Sequence, residues 1–480
     1  MTQHRIYNFL YGLGLFLLLS LYIFNVFYKI SDFPVYSWDE ARHGISAYEM
    51  LQKKNFFVNT FRYSPDYWNL KPPLSFWAIM AGFKLAGFNT LGFRLLSVIF
   101  SIITVILAAL YALKKYGKIA SLFTVASLGT CQQFLINHSS RTGDADSLFV
   151  CLFTIATLSL LTYEKKPVWL YISGVAFSLA FLTKSWHAGN IAIIMALYIF
   201  GTRKFKRLTF FNWVNIILSM VLPILAWGIG RYQYDGLKFF QNMIAYDLLQ
   251  RSSSTLEGHI GGPDYYLLIL IRFYSLWLLI LCVFLLILVV KYKKWIINVL
   301  KRSDILGLCL WILVPLLLFS LAQTKVRWYI LPIYPPLSIV IGLIASRILN
   351  KEHLIIKVLF MLLVIYTVFF YERAIINFLQ DPPKDPKQDL LYKLDRNKSF
   401  RGKDIYLEKS TAPFYWEQDI ILTAEMYGDL HTKDGGYYTF IKQKGALLLL
   451  QRSVFANRVI ALHHYRIIAS SRWGYIISKR

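Results

Sequence analysis

The chain has 480 residues, is 56% hydrophobic, and carries a formal net charge of +26. Its mean hydropathy is +0.47, and apolar runs of span length recur along it. Soluble domains average about 45–50% apolar residues and a span takes about 20, so a soluble fold with a few long core helices is excluded. The basic residues stand in short clusters between apolar runs, which marks membrane topology and anionic headgroups rather than nucleic acid.

The first apolar run, 8–29, lacks a small-residue cleavage site after it and reads as a retained anchor. A long polar loop, 30–91, follows and begins with SWDEARHGISAYEM at 37–50. Asp39, Glu40 and Arg42 stand side by side there. Such a group can supply general bases, metal ligands or a surface ion pair. Further along the loop, Pro72 and Pro73 stop a helix from running through Lys71. Lys71 then suits either a phosphate at headgroup level or a snorkelling role. The stretch 74–88 is short and polar-flanked, as expected of a helix lying in the interface.

Further spans are expected at about 92–113, 118–136, 146–163, 168–183, 187–201, 211–229, 266–290, 304–322, 328–346 and 353–370, the fifth and sixth spans short enough to be half-helices. That makes an all-α polytopic membrane protein of about eleven spans, at most thirteen. Alternate loops are basic: Lys114, Lys115 and Lys118; Lys165 and Lys166; Arg203, Lys204, Lys206 and Arg207; Lys291, Lys293, Lys294, Lys301 and Arg302; Arg347 and Lys351. The positive-inside rule puts these and the N-terminus in the cytoplasm. The loops 30–91, 137–145, 230–265 and 323–327 then share the outer face with the tail.

Every unusual motif falls on that face. In the second outer loop, His138, Arg141, Gly143, Asp144 and Asp146 lie within nine residues. The two acids can orient a base or an acceptor, or cap the next span. The fourth outer loop carries Arg251, Glu257, His259 and Tyr265 among glycines, as in a loop closing over a ligand, although a lone His is often structural. At 320–336, Lys325, Arg327 and Tyr329 precede Pro332, Pro335 and Pro336. Dense prolines at a span end need support from protein or a cavity, and charges there are a functional-site expectation.

Cys131, Cys151, Cys282 and Cys309 fall in or beside apolar runs without metal spacing and read as small core residues. From Tyr371 hydrophobicity drops and DPPKDPK (381–387) reads as a linker. DIYLE, YYTFI, GALLLL, RVIAL and GYIIS then have strand length and composition. The expected organisation is therefore a membrane domain over 1–371 and a small α+β extramembrane domain over 372–480. Carboxylates with Lys71, Arg251, Lys325 and Arg327 could bind a lipid-borne phosphate and drive displacement at a sugar carbon.

These motifs resemble the glycosyltransferase C superfamily. They are most similar to its aminoarabinose lipid A transferase and protein O-mannosyltransferase group. The resemblance rests on Asp39, Glu40, Arg42, Glu49 and Met50, then Lys71–Pro72–Pro73–Leu74. It continues through Arg141, Gly143, Asp144 and Asp146, Leu182–Thr183–Lys184, Gly258–His259 with Tyr265–Tyr266, and Lys325 with 329–335. It implies an inverting transfer from a polyprenyl-phosphate-linked sugar on the periplasmic face of a bacterial inner membrane. Asp39 would be the catalytic carboxylate, with Glu40, Asp144 and Asp146 as further catalytic candidates. Arg42, Lys71, Arg251, Lys325 and Arg327 would face the donor phosphate, and His259, Tyr265 and Tyr329 the substrate. The acceptor would be lipid A or another glycan or glycolipid, with a protein acceptor as the alternative. The resemblance departs in span count, eleven against thirteen. No cofactor is expected, although Asp39, Glu40 and Asp144 leave a divalent metal open. The rival outside enzymes is a lipid or solute transporter, which would carry its ionisable residues near the bilayer midplane.

Overall fold

The computed structural model describes residues 3–136, 138–164, 166–395, 397–410, 415–454 and 465–479. They form two compact units. The first is Met1–Tyr28, Leu70–Ser75 and Ser97–Gln380; the second is Lys29–Asn69, Phe76–Leu96 and Asp381–Arg480.

The first unit is helical. Among the described residues eight helical segments of the chain are long and apolar enough to cross a membrane: His4–Phe27, Thr90–Tyr116, Val168–Gly201, Phe210–Asp235, Tyr265–Lys291, Ser303–Leu321, Arg327–Lys351 and Leu354–Gln380. Leu74–Ala86, Lys118–Gly129 and Asp146–Thr162 are apolar helices of shorter length. The expected run 118–136 is interrupted: its helix stops at Gly129 and restarts over Gln132–Ile136. At the break Thr130 Oγ1 donates to Ala126 O at 2.7 Å and accepts from Trp277 Nε1 at 3.0 Å. Val168–Gly201 is broken as well. Ser185 takes a left-handed φ of 42°, and a 3-10 turn, Ser185–Ala188, joins the two helices.

The proline-rich segment behaves differently from a broken span. Arg327–Ile333 is a 3-10 turn, and Pro335 and Pro336 sit in the first turn of the helix Tyr334–Lys351. Prolines are tolerated there because the first N–H groups of a helix have no internal partner. Gly342 on that helix lies against Lys118–Gly129 so closely that a Cβ would come 2.3 Å from Ala120 O. Of the cysteines, Cys131 and Cys151 are buried, Cys309 is half-buried and Cys282 is exposed, so only the first two are core residues.

The second unit joins the first polar loop to the tail. The helix Leu354–Gln380 continues nine residues beyond the expected boundary at 371. The loop contributes the helix Asp39–Lys53 and a hairpin of β1 (Thr60–Phe61) and β2 (Ser64–Pro65). The tail contributes β3 (Asp404–Glu408), β4 (His431–Lys433), β5 (Leu447–Gln451), β6 (Tyr465–Ser470) and β7 (Gly474–Lys479). Their order is β4-β3-β5-β7-β6, with β3 parallel to β4 and β5, and β7 antiparallel to β5 and β6. Three expected strands, DIYLE, GALLLL and GYIIS, are present. YYTFI is instead helical, over Gly436–Phe440. Gly435 and Gly436, at φ 116° and 56°, turn the chain, and the Tyr437 N–H is held by Glu408 Oε2 at 2.7 Å rather than by a strand neighbour. RVIAL (458–462) lies outside the described residues.

The helix Asp39–Lys53 is buried along the length that carries Ile45, Tyr48 and Met50, which pack with Phe93, Ile420, Leu422 and Leu447 in one core. Gly44 lets it approach: a Cβ there would lie 2.3 Å from Leu422 and 2.9 Å from Phe93. The same helix buries Glu49 against Glu425, both almost without exposure. Burial, and then the partner carboxyl with Asp429 beside it, pushes Glu425 well above the usual carboxylate range. Burial raises Glu49 too, against the opposing pull of Thr60, the Tyr63 N–H, Glu425 and Lys53. The folded state therefore holds protons that the unfolded chain releases above about pH 4.3. Stability falls as pH rises past that value towards the folded pKa. Melting curves from pH 5 to 8 should show that slope in the wild type and a shallower one in Glu425→Gln. Parallel curves would remove the pair from the pH response.

Candidate active site

Asp39 opens the helix Asp39–Lys53, half-buried in its first turn, where the aligned peptide dipoles favour a carboxylate. Trp38 before it takes φ 66°, a left-handed conformation that costs a bulky side chain about 1–2 kcal/mol. Its exposed ring lies 6.2 Å from that of Trp68. Strain of this kind collects where a side chain must be aimed.

Glu40 is placed otherwise. It is buried, and both its oxygens accept from Arg94, Nε to Oε1 at 2.7 Å and NH2 to Oε2 at 3.0 Å. Arg94 also donates to the carbonyls of Ile30, Phe33 and Pro34, and Glu40 takes the Tyr36 N–H at 2.7 Å. This is a clamp that fixes the entry to the helix. Arg42 is committed as well. Its guanidinium meets Asp66 at 2.7 and 2.8 Å and lies 3.6 Å over the Phe61 ring. Asp66 in turn receives the N–H groups of Trp68 and Asn69, so Arg42 pins the loop that ends at Asn69.

In the first unit the loop before the helix Asp146–Thr162 divides its residues between jobs. Arg141 donates to the carbonyls of Asn25 and Val26 and so closes the end of the helix Gln3–Phe27. His138 stacks on Trp328 at 3.6 Å and meets Asp144 at 3.1 Å. Asp146 begins the helix Asp146–Thr162 without acting as its side-chain cap, and forms a buried ion pair with Lys184.

Lys184 leads to a cluster of cations. Its ammonium lies 5.2 Å from the centre of the Tyr329 ring, and the His187 ring is 4.4 Å from the same ring. Arg251 reaches the Tyr329 hydroxyl at 3.5 Å and is held by Asp247 at 2.9 Å, on a π-helical turn, Met243–Gln250. Asp247 also accepts from Ser185 at 3.0 Å. Lys184, Arg251 and Lys71 all act electrostatically on half-buried His187. Lys71 has no ion-pair partner among the described residues. A phosphate would gain most from such a group of cations, two of them already aimed by acids.

Lys325 does not join this group. Its ammonium is used on the carbonyls of Phe319, Ser320 and Ala322, at the end of the helix Ser303–Leu321. Arg327 is exposed beside Trp328. His259 is 3.9 Å from Glu257, and Tyr265 packs edge-on against Tyr266 at 5.1 Å. Among the described residues no three His, Cys, Asp or Glu side chains are grouped to hold a metal ion.

Sequence reasoning missed Asp66, Arg94, His187 and Asp247 as members of these groups. Asp247 carried a usable signal, an acid four residues before Arg251 in an apolar helical run. With the cations so placed, Lys71→Met is expected to raise the donor KM about tenfold while leaving the melting temperature unchanged. An unaltered KM would take Lys71 out of the phosphate group.

Residues 70–227 match the family model described as dolichyl-phosphate-mannose-protein mannosyltransferase. The chain is 26% identical over 365 residues to an uncharacterized protein of Aquifex aeolicus, covering 74% of this chain and 80% of that one. It is 24% identical over 341 residues to undecaprenyl phosphate-α-4-amino-4-deoxy-L-arabinose arabinosyl transferase 2 of Pseudomonas fluorescens, covering 68% of this chain. The matched part is 58% of that transferase's length. Among solved structures, ArnT of Cupriavidus metallidurans bound to undecaprenyl phosphate superposes with a TM-score of 0.69 at 13% identity, covering 96% of this chain and 97% of that one. The Archaeoglobus fulgidus oligosaccharyltransferase gives 0.56 at 11% identity, covering 89% and 66%. The chain shares its fold with these structures, and its several long apolar helices are those of a multi-pass membrane protein.

Proposed function

We propose that this protein transfers a sugar from a polyprenyl-phosphate donor to an acceptor in the cell envelope, with inversion at the sugar carbon. The observation that carries the reading is the group of Lys71, Lys184 and Arg251 around His187 and Tyr329. A departing lipid phosphate gains negative charge as the glycosidic bond breaks, and cations already aimed at it need little reorganisation. Asp39 is the carboxylate of the acceptor side. It draws the proton from a hydroxyl acceptor, or orients an acceptor that is already a phosphate anion. Asp144 and Asp146 act through His138 and Lys184 as positioning residues. His259, Tyr265, Tyr329 and Arg327 are substrate contacts. The alternation of basic loops supports an active site on the periplasmic face of a bacterial inner membrane. The match to a mannosyltransferase model keeps a protein acceptor as the second reading.

The test supplies purified protein in lipid with radiolabelled undecaprenyl-phosphate sugars and, separately, a membrane lipid extract and a protein extract as acceptors. Label appearing in lipid or glycan supports the reading, and label in protein supports the second one. Movement of a labelled lipid across the bilayer with no transfer would replace both by a transporter. Activity should persist in excess EDTA; loss restored by magnesium or manganese would show a required metal.

A further inference from the structure

The hairpin of β1 and β2 is closed by two residues, Arg62 and Tyr63, both at positive φ, 52° and 63°. A two-residue turn of this hand strongly favours Asn-Gly or Asp-Gly, because each non-glycine residue there carries steric cost. Nothing in the hairpin's own pairing calls for Arg and Tyr. Both side chains line a cavity of about 630 Å³ together with Phe61, Ser64, His431 and Lys433, and Glu425 closes one wall. The turn is nonetheless pinned. Its Tyr63 N–H goes to Glu49 Oε2 at 2.9 Å, Lys53 donates to the Tyr63 carbonyl, and Arg62 reaches Thr432 O at 3.1 Å. The Tyr63 and His431 rings meet edge to face at 4.9 Å.

We infer that this cavity of the second unit binds a phosphorylated sugar. Two aromatic rings offer the flat apolar faces that the C–H side of a pyranose covers. Ser64 and Thr432 offer hydroxyls for sugar oxygens, and Arg62, Lys433 and His431 offer donors for a phosphate. Asp434 pairs with Arg62 at 3.0 Å but is largely exposed, so it offsets little of that charge. Burial and the neighbouring Glu49 carboxyl push Glu425 well above the usual carboxylate range, which lessens the negative charge at that wall. The strain of the turn then has a use: it holds a cation and a ring where Asn-Gly would leave neither. The cavity belongs to the second unit and the cations around His187 to the first, and this binding does not rest on the transferase reading.

The test uses full-length protein in nanodiscs and isothermal titration with a panel of hexose 1-phosphates, with glucose and inorganic phosphate as controls. At least one sugar phosphate should bind ten or more times tighter than either control. R62N/Y63G should lose that binding at least tenfold while melting at or above the wild-type temperature, since the turn is relaxed. Lys433→Ala, on an exposed side chain, should weaken it at least threefold and keeps the proposal testable if the double variant does not fold. Binding unchanged in these variants, loss only in Lys71→Met, or no sugar phosphate preferred over the controls would each overturn the proposal. Sugar-phosphate binding that needs Arg62 and Lys433, in a protein that transfers from no donor, would overturn the transferase reading and leave this site standing.

Discussion

Asp39→Asn is expected to lower transfer by about 10²–10⁴-fold, the range for removing a positioned acid–base group, while donor KM stays within about threefold. Asn keeps the shape of Asp and is itself favourable at a helix start, so the helix Asp39–Lys53 should form and its core with Phe93, Ile420 and Leu422 should pack as before. What goes is the charge. The loss should therefore fall on kcat, and circular dichroism and the melting temperature should match the wild type. If transfer survives in Asp39→Asn, the catalytic carboxylate lies elsewhere, and Asp144 beside His138 becomes the next residue to change.

Arg94→Ala should unfold the second unit. Arg94 uses three nitrogens on two carboxylate oxygens and three backbone carbonyls, all within the first loop. Removing it strands Glu40, which is 1% exposed. Breaking a buried pair from one side costs about 3–5 kcal/mol, a large part of the roughly 5–15 kcal/mol that holds a domain folded. Lysine should not rescue it, since an ammonium cannot reproduce the planar fork. Glu40→Gln combined with Arg94→Met should be milder than Arg94→Ala alone, because no charge is left without its partner. Proteolysis within 30–66 is the readout. Wild-type resistance in Arg94→Ala would show that Glu40 and Arg94 do not clamp the loop.

Much of the membrane part was legible because long apolar runs have few alternatives in a bilayer. What the sequence hid was the interruption inside 118–136, where the helix stops at Gly129 beside Thr130. The break at Ser185 falls between the expected half-helices 168–183 and 187–201. At 327–336 the prolines were visible but their meaning was reversed, since a first-turn proline starts a helix as readily as an internal one breaks it. The candidate residues could be picked out in the sequence, but not the partners that hold them. Glu40, Arg42 and Lys325 are committed to Arg94, Asp66 and a helix end. The two ion pairs join residues 24 and 54 apart in sequence, and charge pairing over that distance leaves no local pattern. The tail was least legible. Short apolar segments such as YYTFI carry no length signal to separate strand from helix, and two glycines with Glu408 decided it.

The union of first loop and tail in one core also sets an order of events during synthesis. Val35 is paired in both directions with Gln388, 353 residues later, and Ile45 shares its core with Leu447. At about 5–20 residues per second, the ribosome needs roughly 20–70 s to deliver the second half of that core after the first has emerged. During that interval the apolar face of the Asp39–Lys53 helix lacks its final cover. The first loop is thus made long before it can finish folding. Mutations that only slow translation, or that release the tail late, should act on this protein as though they struck residues 30–66.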